Sequence, residues 1–168
     1  MGYYAAAEKI VKAIQELLVP ISQTVYPYIS KLVSESKERA LNFIRRLVKI
    51  VGSISFIISL SIFIFANLIV NIILGPQYQQ SIIVLRILAF LPFIIGLSNI
   101  FAIQGLYAFG FQWIVPRFIV PIAIFHLFLL SALAYFYSLI GVAIAPVITE
   151  TLITTVSIKY FFKLLLKK

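Results

Sequence analysis

The 168-residue sequence has no cysteine and no aspartate, one histidine and five acidic residues in all. Without cysteine there are no disulfides, thiolate metal sites, iron–sulfur ligation or thiol nucleophiles. Without aspartate, aspartate-based metal or diphosphate-coordinating motifs are excluded, and neither a nucleophile elbow nor a glycine-rich phosphate loop occurs. A lone histidine cannot build a metal site. Hydrolytic and glycosyl-transfer chemistry therefore lack their groups, so the expectation is a protein that is not an enzyme and holds no cofactor or metal. Charge is scarce as well: 11% of residues are charged and 62% are hydrophobic, with a mean hydropathy of +1.10. Soluble domains run near 25% charged and about 45–50% apolar. A water-soluble globular domain is excluded, and an integral membrane protein is expected.

What charge there is carries a net +9. The basic residues flank apolar runs, which reads as a topology signal and not as a nucleic-acid surface. Uncharged stretches of 36, 30 and 32 residues separate Lys49, Arg86, Arg117 and Glu150. At roughly 20 apolar residues per spanning helix, these require transmembrane helices joined by tight turns. Turn residues collect at Gly75-Pro76-Gln77-Tyr78-Gln79-Gln80, at Gly110-Phe111-Gln112-Trp113 and at Tyr137-Ser138-Leu139-Ile140-Gly141. The pattern predicts helices over 47–74, 81–108, 114–137 and 141–162, preceded by a less apolar helix over 3–30 and a polar loop around 34–39. The whole chain, 1–168, reads as a single all-α, polytopic transmembrane bundle of about five spans.

Lys and Arg distribute unevenly among the connections. Six lie in 31–49, one at the turn near 110 (Arg117) and four at the C-terminal end, with none at 75–80 or 138–141. By the positive-inside rule the 31–49 connection, the turn near 110 and the C-terminus are cytoplasmic, and the other two turns face outside. If the first helix also spans, the N-terminus lies outside. Met1 is followed by Gly2-Tyr3-Tyr4 and a charged amphipathic stretch, not by the basic, apolar and small-residue regions of a signal peptide. That combination predicts a piece of a longer protein whose preceding helices lie elsewhere.

The first helix carries the candidate chemistry. At 100° per residue, Glu8, Lys9, Lys12, Gln15, Glu16, Ser22, Gln23, Tyr26 and Ser30 fall within a sector of about 140°. Glu8, Lys12 and Glu16 follow i, i+4, i+8 spacing and can pair along that face. Exposing several charges to lipid would be prohibitive, so the stripe faces protein, a water-filled cavity or the membrane interface. One reading is a span lining a hydrated path for a polar or anionic solute. The other is an amphipathic helix lying flat on the cytoplasmic surface. Elsewhere, Glu150 falls near mid-depth in the last helix, either as an ion-coupling site or as a protonated carboxyl bonded to a neighbouring helix. Arg86 begins its helix at the outer side, to attract an anionic group or to snorkel to the interface. His126 reads as a packed core histidine, and Asn67, Asn71, Asn99 and Gln104 as interhelical hydrogen-bonding groups.

Gly2-Tyr3-Tyr4-Ala5-Ala6-Ala7-Glu8-Lys9-Ile10-Val11 and Pro20-Ile21-Ser22-Gln23-Thr24-Val25-Tyr26-Pro27-Tyr28-Ile29-Ser30 resemble a pattern of the Wzx-type polysaccharide flippases. These belong to the multidrug/oligosaccharidyl-lipid/polysaccharide exporter superfamily. Gly75-Pro76-Gln77-Tyr78, Val84-Leu85-Arg86-Ile87-Leu88, Leu91-Pro92-Phe93-Ile94-Ile95-Gly96-Leu97-Ser98-Asn99 and Gln104-Gly105 continue the likeness. Ala5 departs from the usual serine. The resemblance implies the C-terminal part, about helices eight to twelve, of a bacterial inner-membrane flippase. Such a flippase exports undecaprenyl-diphosphate-linked oligosaccharide repeat units, as for O-antigen, by alternating access of two lobes. The implied partners are the lipid-linked oligosaccharide, membrane lipids and a missing N-terminal lobe or second chain; nucleic acid is not among them. Carried over, Glu8, Lys9, Lys12, Gln15, Glu16, Gln23 and Tyr26 would face the central cavity, with Lys9 and Lys12 contacting a diphosphate or acidic sugar and Arg86 at the outer mouth. The competing readings are another exporter of the superfamily, for lipid II or small molecules, and a non-transporting membrane fragment or assembly subunit.

Overall fold

The computed structural model describes residues 2–17 and 19–166, with the side chains at 19, 21–23 and 166 outside that description. The elements within it are helical: α1 Gly2–Glu16, α2 Val19–Glu35, α3 Lys37–Ile73, α4 Ser81–Leu88, α5 Leu91–Asn99 and α6 Ile114–Phe161. A wider π-helical segment, Ile100–Tyr107, continues α5, and another, Phe162–Leu166, continues α6. The three runs Lys37–Ile73, Ser81–Tyr107 and Ile114–Leu165 are each long and apolar enough to cross a bilayer. The protein is an all-α, multi-pass membrane bundle.

Two expectations about the first third need correction. The helix expected over 3–30 is two rods, interrupted at Leu17. Pro20 follows the start of α2 by one residue, in the first turn, where its missing N–H and fixed φ are tolerated; mid-helix it would break a hydrogen bond and clash with the preceding turn. The connection expected around 31–49 is almost entirely helical: α2 runs to Glu35, α3 begins at Lys37, and Ser36 alone lies between them. Ser36 is extended (φ −161°, ψ 115°) and its hydroxyl accepts from the Arg39 N–H at 3.4 Å, with Glu38 in the first turn. Such a cap contributes about 1 kcal/mol, and the Lys, Arg and Glu residues around it are good helix formers.

Ser36 acts as a hairpin corner. Ile29 of α2 packs with Ile44 and Leu47 of α3, while Ala7 and Val11 of α1 join Val84, Leu85 and Leu88 of α4 in the cluster that also holds Ile62, Ala66 and Val70 of α3. α2 therefore runs back along the start of α3, and α1 lies against α4. The 37 residues of α3 extend about 55 Å at 1.5 Å each, well beyond a hydrocarbon core of about 30 Å. The surplus is the charged stretch 37–49.

Ser81–Tyr107 bends before Pro92, which again sits in the opening turn of a helix, α5. Side-chain hydroxyls tie this run to its neighbours: Ser59 accepts from the Phe93 N–H at 3.3 Å, Thr154 donates to the Ile94 carbonyl at 3.1 Å, and Ser81 donates to the Tyr3 carbonyl at 2.8 Å. Among apolar helices, which gain nothing by hiding from lipid, such bonds and close packing hold the bundle together.

The 48 residues of α6 do not form one rod. Ser138, at φ 48° and ψ −124°, folds them into arms over 114–137 and 139–161. His126 Nδ1 meets Thr149 Oγ1 at 2.7 Å, although 23 residues of straight helix would separate them by about 35 Å. Nearer the arms' free ends, the rings of Phe118 and Tyr160 stack with centroids 5.7 Å apart. Gly141 makes the doubling possible: a Cβ there would run into the Leu133 carbonyl.

The bundle consequently has two unlike ends. One gathers the 75–80 turn, the Ser138 fold and the start of α1, where Tyr78 and Leu139 pack around Ala7 and Val84. No Lys or Arg lies in either turn. At the other end Ile44, Leu47, Phe101, Phe161 and Leu165 cluster, with Phe109 and Phe111 beside them. Lys31, Lys37, Arg39, Arg45, Arg46, Lys49, Arg117, Lys159 and Lys163 belong to the segments meeting there. Arg117 lies over the Trp113 ring at 4.5 Å.

Candidate functional site

Most of the exposed surface of the long helices is apolar. On α3 it includes Ile57, Ile64, Phe65, Leu68 and Ile72, and on α6 Leu127, Phe128 and Phe136. That is the surface a bilayer solvates. α1 differs. Its Ala7 and Val11 are buried, and on the opposite side Gly2, Ala5, Lys9, Lys12, Ala13 and Glu16 are exposed; at 100° per residue these six fall within a sector of about 100°. The face mixes three charges with three small residues.

This face is rotated from the sequence-derived stripe. Glu8 and Gln15 are half-buried at its border, not at its centre. Glu8 Oε1 pairs with Lys12 Nζ at 2.9 Å, and the Tyr4 phenol lies against the same carboxylate. Glu16 does not extend the pairing. Among the described residues the ion pairs are Glu8–Lys12 and Lys31–Glu35, so Lys9, Glu16, Arg86 and Glu150 have no such partner. The break at Leu17 also ends the continuous helical phase that placed Glu8 and Tyr26 on one line. Tyr26 is half-buried on α2, and the side chain of Gln23 lies outside the described residues. Arg86 is exposed on α4, and Glu150 is half-buried on the second arm of α6, one turn from Thr154, whose hydroxyl also donates to the Glu150 carbonyl at 2.8 Å. No contact joins Arg86 or Glu150 to the α1 face among the described hydrogen bonds and ion pairs.

Lys9 has a second setting that the sequence did not disclose. It lines a groove of about 810 Å³ between α1 and the end of α3, whose other walls include Ala6, Ala13, Ile14, Ile69 and Tyr78. Lys9 is the one charged residue in that lining. The groove opens because Gly2, Ala5, Ala6 and Ala13 leave much of α1 with little side chain there, and Tyr78 in its wall meets the Tyr3 ring edge-on with centroids 5.8 Å apart. A small-residue helix face beside an isoleucine row was legible in the sequence only as an alanine run.

The structure also gathers groups that the sequence treated as topology markers. Tyr28, Lys31 and Glu35 of α2 and Arg39, Asn42 and Arg46 of α3 surround a cleft of about 480 Å³ beside the Ser36 corner. His126, read as a packed histidine, is half-buried and bonded to Thr149. Among the described residues no three His, Cys, Asp or Glu side chains come together as a metal site.

A family model described as "Polysaccharide biosynthesis protein" matches residues 1–83. The chain is 31% identical over 160 residues to a protein of Escherichia coli (strain K12) named "Putative O-antigen transporter"; the match covers 95% of this chain and 39% of that protein. A protein of Shigella dysenteriae with the same name is 31% identical over 156 residues, covering 93% of this chain and 39% of its own length. The chain thus spans about two fifths of the length of the relatives it matches. No solved structure matches it.

Proposed function

We propose, from its similarity to proteins named O-antigen transporters and its resemblance to the Wzx-type polysaccharide flippases, that the chain forms one lobe of a transporter exporting lipid-linked oligosaccharide. The substrate class is a sugar repeat unit on an isoprenoid diphosphate, moved across the bacterial inner membrane by alternating access. The supporting observation is Lys9. It belongs at once to the charged, lipid-averse face of α1 and to the apolar groove beside it. An amphiphile with an anionic head and an apolar tail needs that juxtaposition of cation and trough. Lys12, held by Glu8 and exposed on the same face, adds a second cation for a diphosphate or acidic sugar.

In this reading the basic end of the bundle is cytoplasmic, by the positive-inside rule, and the groove at Lys9 opens toward the outer leaflet, where the cargo leaves. A phosphatase fused after Tyr78 is expected to be active and one fused after Gly110 inactive; the reverse pattern would invert the orientation. Glu150 is a proposed coupling site, since a mid-span carboxylate can exchange a proton or cation as the lobes move.

Transport itself needs the other lobe. Co-expression of this chain with the N-terminal remainder of a related transporter, in a strain lacking its own O-antigen transporter, is expected to restore surface polysaccharide. Neither part alone is expected to do so. Restoration by the chain alone would refute the lobe assignment, and failure of the pair at normal expression and membrane insertion would count against export of this cargo.

A further inference from the structure

On the far side of α3 from the Ser36 cleft lies a second groove, of about 330 Å³, between α3 and the paired π-helical segments. Leu41, Ile44 and Val48 form one wall, and Phe101, Phe161 and Phe162 the other. Two cations, Arg45 and Lys49, complete the lining, and no acidic residue contributes to it. At 100° per residue, the α3 residues of this groove and those of the cleft (Arg39, Asn42, Phe43, Arg46) point on average about 140° apart, with Arg45, bonded to Asn42 of the cleft, and Lys49 on the border between them. We propose that this groove is a binding site for an anionic phospholipid of the bilayer, one acyl chain lying against the phenylalanines and its phosphate on Arg45 and Lys49.

Three features of the groove favour this occupant. The first is its depth: Lys49 is the last charge before the 36-residue uncharged run, so the groove straddles the boundary between headgroups and hydrocarbon. The second is the state of its cations. Arg45 makes only a 3.4 Å bond to the Asn42 amide, and neither it nor Lys49 pairs with a carboxylate among the described residues. They are free to hold a phosphate, and guanidinium and ammonium groups placed between helices at this level bind lipid headgroups. The third is the backbone. Phe101 lies in one π-helical segment and Phe162 opens the other, and such wide turns recur where a helix is reshaped for function. Here they splay three phenylalanine rings along the trough: Phe101 sits 5.2 Å from Phe161 and 6.4 Å from Phe162, centroid to centroid. Gly105, whose Cβ would lie 2.6 Å from the Phe161 ring, gives that ring its place. The assignment requires only that the chain resides in a membrane, and it stands or falls independently of the exported cargo.

The test uses the whole chain in nanodiscs of phosphatidylethanolamine with a minor fraction of phosphatidylglycerol carrying a photoactivatable acyl chain. Cross-links are expected on residues 41–48 and on Phe161 or Phe162. The double variant Arg45→Ala/Lys49→Ala is expected to lower phosphatidylglycerol retention about tenfold, from the loss of two juxtamembrane cations. Lys31→Ala/Lys37→Ala, which removes the same charge elsewhere at that end, is expected to leave retention within about twofold. Val48→Phe fills the trough without touching charge and is expected to abolish the cross-links; circular dichroism and elution volume report whether either groove variant is folded. Unlabelled lipids competing on the unaltered chain decide the matter if a variant is not. Equal loss in the Lys31/Lys37 control would overturn the site in favour of diffuse surface charge. Equal competition by phosphatidylethanolamine would show a greasy crevice without headgroup recognition. Displacement by an isoprenyl phosphate but not by phosphatidylglycerol would assign the groove to the carrier lipid instead.

Discussion

Replacing Gly141 by valine is expected to unfold the α6 hairpin and, with it, the bundle. A Cβ at this position meets the Leu133 carbonyl carbon and oxygen, which are backbone atoms of the facing arm and cannot rotate away as a side chain can. Overpacking a core ordinarily costs about 1–3 kcal/mol because neighbours adjust. Here the adjustment must separate two helices, so the loss should reach the exceptional class above about 4 kcal/mol. The contacts at stake are those that only the doubled α6 makes, the His126–Thr149 bond and the Phe118–Tyr160 stack. Unfolding in mixed micelles, followed by loss of helical signal or by steric trapping, measures the change. Gly52→Ala is the control: its Cβ would sit 3.6 Å from the Leu97 methyl, an ordinary contact, and less than about 1 kcal/mol is expected. Ser138→Gly should act in the opposite sense. Ser138 holds a backbone conformation that glycine adopts freely (φ 48°, ψ −124°), so the replacement should relieve about 1 kcal/mol of strain. A Gly141→Val protein as stable as the parent would mean that the arms do not approach as described.

The long apolar rods and the sites of their turns were legible because lipid leaves a coarse record. Uncharged runs had to be helices, and Gly75-Pro76, Gly110 and the 137–141 cluster were the few places where the backbone could turn. What misled was the charged stretch 31–49, read as a loop because charge and connection usually coincide. Lys, Arg and Glu favour helix, and beyond the bilayer nothing stops a span from continuing into water until a capping serine ends it. The break at Leu17 was hidden by the apolar sequence around it; Pro20 was the available signal, since a proline is comfortable in a first turn and not in a helix interior. Lys9, Lys12 and Glu16 share an exposed face of α1 and Glu8 is half-buried at its edge; polarity alone defined a stripe rotated from that face, because it does not disclose which flank of a helix its neighbours cover. Arg45 and Lys49 were counted only as orientation markers, because nothing in their spacing disclosed that Phe101 and Phe161, far away in sequence, would come to face them.

Neutralising the α1 face is expected to have the largest effect on transport. With Lys9→Gln and Lys12→Gln together in the assembled transporter, surface polysaccharide should fall at least tenfold at equal expression. A charge-assisted hydrogen bond contributes about 1.5–3 kcal/mol, so losing two from the proposed phosphate-bearing cargo has room to cost far more than a factor of ten. Lys9→Arg/Lys12→Arg should retain most export, because the positive charge survives. The single variants separate the two lysines. Lys12 is partnered by Glu8 at 2.9 Å, so Lys12→Gln also strands a half-buried carboxylate, whereas Lys9 has no ion-pair partner among the described residues and borders the apolar groove. If Lys9 meets the cargo's anion, Lys9→Gln should weaken export more than Glu8→Gln, which merely frees Lys12. A purely structural role for the pair would give the reverse order, since breaking Glu8–Lys12 would then matter and Lys9 would not. Export unchanged in the double glutamine variant, with the protein inserted at normal levels, would remove the charged face from the transport path and leave α1 as a helix whose lysines are only solvated.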